Sequence, residues 1–122
     1  VATAEIRRPE RVLVDSDIII DHLRGARALP KIPLAYSVIT RCELFAGRDD
    51  AGTLRRLLDR MRELPVDSQT AERAGVLKRI VKLQTPDALI AATALENDLP
   101  LMTRNERHFG RVPGLDLRVP EG

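Results

Sequence analysis

RVLVDSDIIIDHLRG, residues 11–25, changes its periodicity halfway along. Val12, Leu13 and Val14 read as a short buried strand, and Asp15 closes it with a carboxylate. From Asp17 to Arg24 the pattern is helical, and Gly25 stops it. The same alternation continues downstream. Ile32–Ser37 holds Pro33 and then LAY, a weak second strand, and Ser37 is placed to cap a helix from Val38 to Ala46 that Gly47 ends. Leu54, Leu57, Leu58 and Met61 stand at i, i+3, i+4 and i+7, one apolar face with arginines opposite. Leu64–Val66 reads as a short strand interrupted by Pro65. Ser68 or Thr70 starts a further helix with Ala74, Leu77, Ile80 and Val81 turned inward. Thr85-Pro86-Asp87 combines a capping hydroxyl, a proline at the first helical position and an acid on the positive end. The helix it opens runs to about Leu99, and Ala88, Ala91, Ala92 and Ala94 let other groups approach it closely. Pro100–Thr103 reads as a strand, Glu106–Phe109 as a helical turn and Leu115–Val119 as a last strand.

Strands and helices alternate with no two-residue hairpin between strands. The expected fold is therefore α/β, a small, mostly parallel central sheet flanked by helices. In such sheets ligands bind beyond the carboxyl ends of the strands. Residues 1–10 are expected to form an irregular leader and residues 11–122 a single domain.

Composition narrows the chemistry. The 122 residues are 43% hydrophobic and 31% charged, a globular balance rather than a disordered one. The longest nearly apolar run, Ala88 to Leu95, is far short of the ~20 residues of a membrane span. The opening VATAEIRRPER has no apolar signal core, so a cytoplasmic location without a membrane partner is expected. Cys42 is the single cysteine, which excludes internal disulfides and multi-cysteine zinc sites and makes a core role its simplest reading. Two histidines, His22 and His108, leave little for a histidine-rich metal site. Tyr36, Phe45 and Phe109 are the only aromatics, too few for base-stacking platforms. All but three of the 20 basic residues are arginine, suited to phosphate contacts, at a formal net charge of only +2. That is compatible with a nucleic-acid partner and equally with solvated helix faces.

The acids at the strand ends carry the functional reading. Asp15 ends the first strand, Asp87 opens the alanine-rich helix, and Thr103, Arg104 and Asn105 follow the strand PLM. Glu43 lies one turn after Thr40 on the 38–46 helix. In a parallel sheet Asp15, Asp87 and Asn105 can reach one edge, with Glu43 leaning over it. Two like unit charges about 4 Å apart repel by about 4 kcal/mol at an effective dielectric of 20. Such a cluster needs a cation or must keep protons. All-oxygen ligands suit Mg2+ or Mn2+, which can activate water and clamp a phosphate oxygen. Each acid also has a plain structural reading. Asp15 can cap a helix, Glu43 can be solvated, Asp87 can answer the helix dipole and Asn105 can be a turn residue. Asp17 and Asp21 read as surface or capping acids rather than ligands. His108 and Phe109 read as ties between the last turn and the core.

VLVDSDIIIDHLRG, YSVITRCELFAGR, TPDALIAATALENDLPLMTRNERHF and PGLDLRV together resemble the PIN-domain ribonucleases, in particular the VapC-type toxins of type II toxin–antitoxin systems. The resemblance spans about residues 11–120. It implies a PIN-like three-layer fold, a homodimer, Mg2+- or Mn2+-dependent cleavage of RNA, and a VapB-type antitoxin that blocks the acidic site. By position it makes Asp15, Glu43 and Asp87 the metal-binding catalytic acids. Asn105 stands where an aspartate is common, and an amide adds one oxygen donor without charge. Ser16, Thr40 and Thr103 match positions that orient the acids or the bound phosphate. The apolar surface of residues 38–63 is the expected seat of dimer or antitoxin contacts. Two other readings compete. One is a PIN-like scaffold of weak catalytic power that only binds its partner. The other is a phosphoaspartyl phosphatase, because VLVDSD also fits a strand ending in D-x-D. The latter chemistry lacks a later acid pair, and no lysine follows Lys82.

Overall fold

The fold, taken from a computed structural model, is described over residues 10–120. The expected leader therefore lies, except for Glu10, outside the described residues. The elements run β1 (Val12–Val14), α1 (Ser16–Leu23), β2 (Leu34–Ser37), α2 (Val38–Phe45), α3 (Ala51–Leu58), β3 (Arg62–Leu64), α4 (Ser68–Val81), α5 (Thr85–Glu96), β4 (Leu101–Met102), α6 (Glu106–Phe109) and β5 (Leu117–Arg118).

The five strands form one sheet in the order β3-β2-β1-β4-β5, and every pairing is parallel. Val12, Leu13 and Val14 at the centre are all 0% exposed, as a strand covered on both sides requires. The period-2 alternation divides them between two cores. Leu13 joins Ala35, Leu101 and the residues of α4, α5 and α6, among them Leu77, Ala88, Ala91 and Phe109. Val12 and Val14 join Tyr36 and the residues of α1, α2 and α3, among them Ile18, Ile19, Leu44, Leu54 and Leu58. The result is three layers, helix, sheet and helix. Each fully buried Leu, Ile or Phe contributes roughly 1.5–3 kcal/mol through apolar area removed from water.

Helix starts follow local chemistry. Asp15 caps α1, Ser37 accepts from the Ile39 N–H, Asp50 from the Thr53 N–H and Asp67 from the Thr70 N–H. The cap of α4 is thus Asp67 rather than Ser68 or Thr70. Lys82 ends α4 in the left-handed region at φ 54°. The alanines of α5 are fully buried, which lets this helix pack closely against the sheet.

Several expectations are corrected. The third strand is Arg62–Leu64, not Leu64–Val66, because Pro65 has no N–H to donate and ends the pairing. Ile80 is 54% exposed and does not face the core, whereas Ala74 and Leu77 do. Thr85 does not cap α5. Its N-cap is Gln84, without a side-chain bond, and the Thr85 hydroxyl accepts from Lys78 Nζ at 2.6 Å. Cys42 is exposed, because α2 buries Thr40 and Leu44 instead.

Candidate active site

From β1 the chain moves outward to β2, and β4 returns on the other side of β1. The loops leaving β1 and β4 therefore diverge and open a crevice at the carboxyl ends, the switch point where α/β sheets bind ligands. Asp15 and Thr103 follow those two strands directly. The Asp15 N–H donates to Met102 O at 3.0 Å, continuing the ladder, and the Thr103 hydroxyl donates to Asp15 Oδ2 at 2.9 Å.

Asp15 is 4% exposed, and its Oδ1 accepts from the Ser16 N–H at 2.8 Å. It is therefore a helix cap and a buried acid at the same time. Loss of hydration, then the charge of Asp17, push its carboxyl up to about 6; the bonds from Thr103 and Ser16 oppose this, and Asp87 adds to it. Glu43 comes in from α2. The residue is exposed on α2, yet desolvation of its carboxyl raises it too, opposed by the nearby Ser16 side chain and reinforced by repulsion from Asp87 and Asp17. Asp87, in the first turn of α5, has Oδ2 3.2 Å from His108 Nδ1. Asp87 and Asp17 thus lie within electrostatic reach of both Asp15 and Glu43.

The supporting residues separate by what they touch. Thr103, fully buried, has one proton to donate. Its hydroxyl is 2.9 Å from Asp15 Oδ2 and 3.2 Å from Asp17 Oδ2, and it accepts from the Asn105 N–H at 3.0 Å. Ser16 reaches Glu43. Thr40 is fully buried, but its hydroxyl has no hydrogen-bond partner among the described residues and so touches none of the acids. Asn105 is exposed at the N-terminal end of α6 and makes no side-chain cap bond.

Two residues at the site were read otherwise from the sequence. Asp17 faces inward. Its Oδ2 accepts from the Arg104 N–H at 2.9 Å, and its Oδ1 is buried without a hydrogen-bond partner among the described residues. The D-x-D spacing after β1 was the available signal. His108 contacts Asp87 rather than only anchoring α6, while the neighbouring Phe109 is 1% exposed and does tie that turn to the core. Asp21 keeps its surface role, paired with Arg27 and Arg104.

A divalent cation fits this donor set in kind. The donors are hard oxygens, their charges repel, and Asp17 Oδ1 is an orphaned buried acceptor. Among the described residues, however, no three His, Cys, Asp or Glu side chains already converge closely enough to hold an ion. No helix among the described residues is long and apolar enough to cross a membrane.

A parallel sheet covered by helices on both faces, with acids beside its switch point, defines a three-layer α/β domain. The PIN domain family model matches residues 12–115, and the chain belongs to the PIN-domain family. Among its relatives, Ribonuclease VapC10 of Mycobacterium tuberculosis is 39% identical over 113 residues, covering 80% of this chain and 85% of that protein. Ribonuclease VapC19 of the same organism is 32% identical over 124 residues, covering 88% and 98%. A toxin–antitoxin complex from Klebsiella pneumoniae contains a chain that superposes with a TM-score of 0.74 at 33% identity, covering 90% of this chain and 96% of that one. The phosphoaspartyl phosphatase alternative finds no support in this kinship.

Proposed function

We propose that the chain is the ribonuclease toxin of a VapBC-type pair, a Mg2+- or Mn2+-dependent endoribonuclease restrained by a cognate VapB-type antitoxin. The observation that carries this reading is the buried Asp15 at the end of β1, held by the Thr103 hydroxyl at the end of β4, with Asp87 and Asp17 near enough to raise both it and Glu43. Kinship with the VapC ribonucleases supports the choice of RNA.

In this reading Asp15, Glu43 and Asp87 hold the cation, and Asn105 assists as a neutral oxygen donor. When bound, the ion supplies Lewis acidity to water and offsets phosphate charge. Thr103 fixes the rotamer of Asp15, and Ser16 lies beside Glu43 and favours its charged form. Burial of Asp15 keeps the centre poorly hydrated, so its charge acts strongly on whatever enters. Surface arginines hold the RNA backbone. The antitoxin seats on the apolar pocket of about 420 Å³ lined by Val38, Arg41, Cys42, Phe45 and Arg55. Exposed Val76 and Ile80 on α4 give a homodimer an apolar contact. Such an enzyme works in the cytoplasm, where its RNA is.

The test is cleavage of cellular RNA by the purified chain with Mg2+, with Mn2+ and with a chelator, followed by sequencing of the new 5′ ends. Metal-dependent cuts that vanish in Asp15→Asn and Asp87→Asn are expected. Undiminished cutting by either variant, or no cutting with either metal, overturns the reading.

A further inference from the structure

A pocket of about 230 Å³ opens directly beside Asp87, between the end of α4 and α6. Lys82, Arg107, Arg111 and His108 contribute to its wall, with Gln84 and Asp87 at the start of α5. Several arginines are already paired with carboxylates. Arg104 is paired with Asp21 and Arg41 with Glu63, while Arg24, Arg27, Arg73 and Arg118 each meet a carboxylate elsewhere. Lys82, Arg107 and Arg111 are tied to no carboxylate among the described residues, although all three share one concavity. Uncommitted like charges held around a cavity repel one another, and an anion entering it removes that cost. Two guanidinium groups and an ammonium suit a phosphate, with arginine offering paired donors and lysine a point charge. The first turn of α5 makes no side-chain cap bond and adds its partial positive charge to the same wall.

The position matters as much as the charge. Asp87 belongs both to this pocket and to the acidic centre, and His108 bridges them at 3.2 Å. A polyanion approaching four carboxylates is repelled unless a neighbouring segment is held by cations. We propose that this pocket is a phosphate subsite, taking the backbone phosphate of the RNA strand next to the one cleaved and so fixing the strand across α5 and α6. The proposal rests on the ribonuclease reading above and deepens it.

Binding separates the two claims. Fluorescence anisotropy is measured with a labelled 12-nucleotide single-stranded RNA of mixed sequence, on full-length Asp15→Asn protein so that no strand is cut. Arg107→Ala/Arg111→Ala is compared with Arg60→Ala/Arg62→Ala, which removes equal charge away from the pocket. Thermal melts check that both fold. The pocket pair is expected to weaken binding about tenfold or more and to lower the slope of log affinity against log salt by about 1.4, the release expected for two single-strand phosphate contacts. The control pair is expected to change binding less than threefold. Equal weakening by both pairs, or none by either, overturns the subsite. So does loss of binding to a labelled poly-glutamate 12-mer with RNA binding untouched, since the pocket would then serve an acidic protein segment. Failure of the unsubstituted chain to cut RNA counts against the ribonuclease reading alone, because this measurement does not depend on cleavage.

Discussion

Asp15 and Thr103 are 88 residues apart in the chain, and the Thr103 hydroxyl donates to the Asp15 carboxylate across 2.9 Å. The parallel pairing of β1 with β4 sets this contact, since Val14 lies opposite Met102 and each strand is followed at once by its polar residue. Thr103→Val keeps the side-chain shape and removes the donor. The variant is expected to lose about 1.5–3 kcal/mol at pH 7.5, the usual range for a hydrogen bond to a charged group. The loss is expected to shrink near pH 4, where the carboxyl is protonated. Urea unfolding at both pH values measures it.

The burial of Asp15 predicts a pH dependence of definite sign. Its ordinary value is 3.8, and in the folded chain it rises to about 6. Between those values the native state binds more protons than the unfolded chain, so stability falls as pH rises. The contribution is whole below about pH 4 and is lost as pH climbs through about 6. The shift corresponds to roughly 3 kcal/mol at most. Without divalent metal, Asp15→Asn is therefore expected to be about 1–3 kcal/mol more stable than the parent at pH 7.5, with the difference fading by pH 4. The pH profile of unfolding free energy for the pair checks this. A constant difference at every pH would refute it.

The layers of this fold were legible because short apolar runs alternate with helical faces, and Asp15 directly follows such a run. Asp15 and Asp87 lie where a strand ends or a helix begins, positions the residues themselves mark. Asp17 was not legible as a site residue. On α1 its spacing is that of an ordinary first-turn acid, and only the return of β4 brings Thr103 and Arg104 against it. Ile80 misled because helical spacing defines a stripe but not how far a neighbouring layer extends over it. Thr85 misled because Lys78, one turn back on the preceding helix, claims its hydroxyl. Cys42 is exposed because Thr40 and Leu44, flanking it by two residues, take the inward face of α2.

Asp17 holds the loop after β4 by accepting from the Arg104 N–H at 2.9 Å. Asp17→Ala removes that acceptor and is expected to lower kcat/KM for RNA cleavage at least tenfold. Asp17→Asn retains an oxygen acceptor in the same place and is expected to recover most of that loss. Single-turnover cleavage by the two variants distinguishes a positioning role, rescued by the amide, from a role that needs the charge itself.

Metal should act on stability as well as activity, because an ion bound only by the folded state shifts unfolding by mass action. At about one hundred times its dissociation constant the expected gain is about 2.7 kcal/mol. With Mn2+ at pH 7.5 the parent chain is expected to melt several degrees higher, and Asp15→Asn is expected not to respond. Asn105 supplies a further point on the same scale. Asn105→Asp adds a negative charge at the entrance to α6, beside a centre that already repels itself. It is expected to destabilise the metal-free chain slightly and to tighten Mn2+ binding about fivefold, since a unit charge a few ångströms away in a hydrated site contributes about 1 kcal/mol. Thermal unfolding without metal measures the first effect and calorimetric titration with Mn2+ the second. Unchanged affinity would mean that residue 105 stands too far from the ion to take part in holding it.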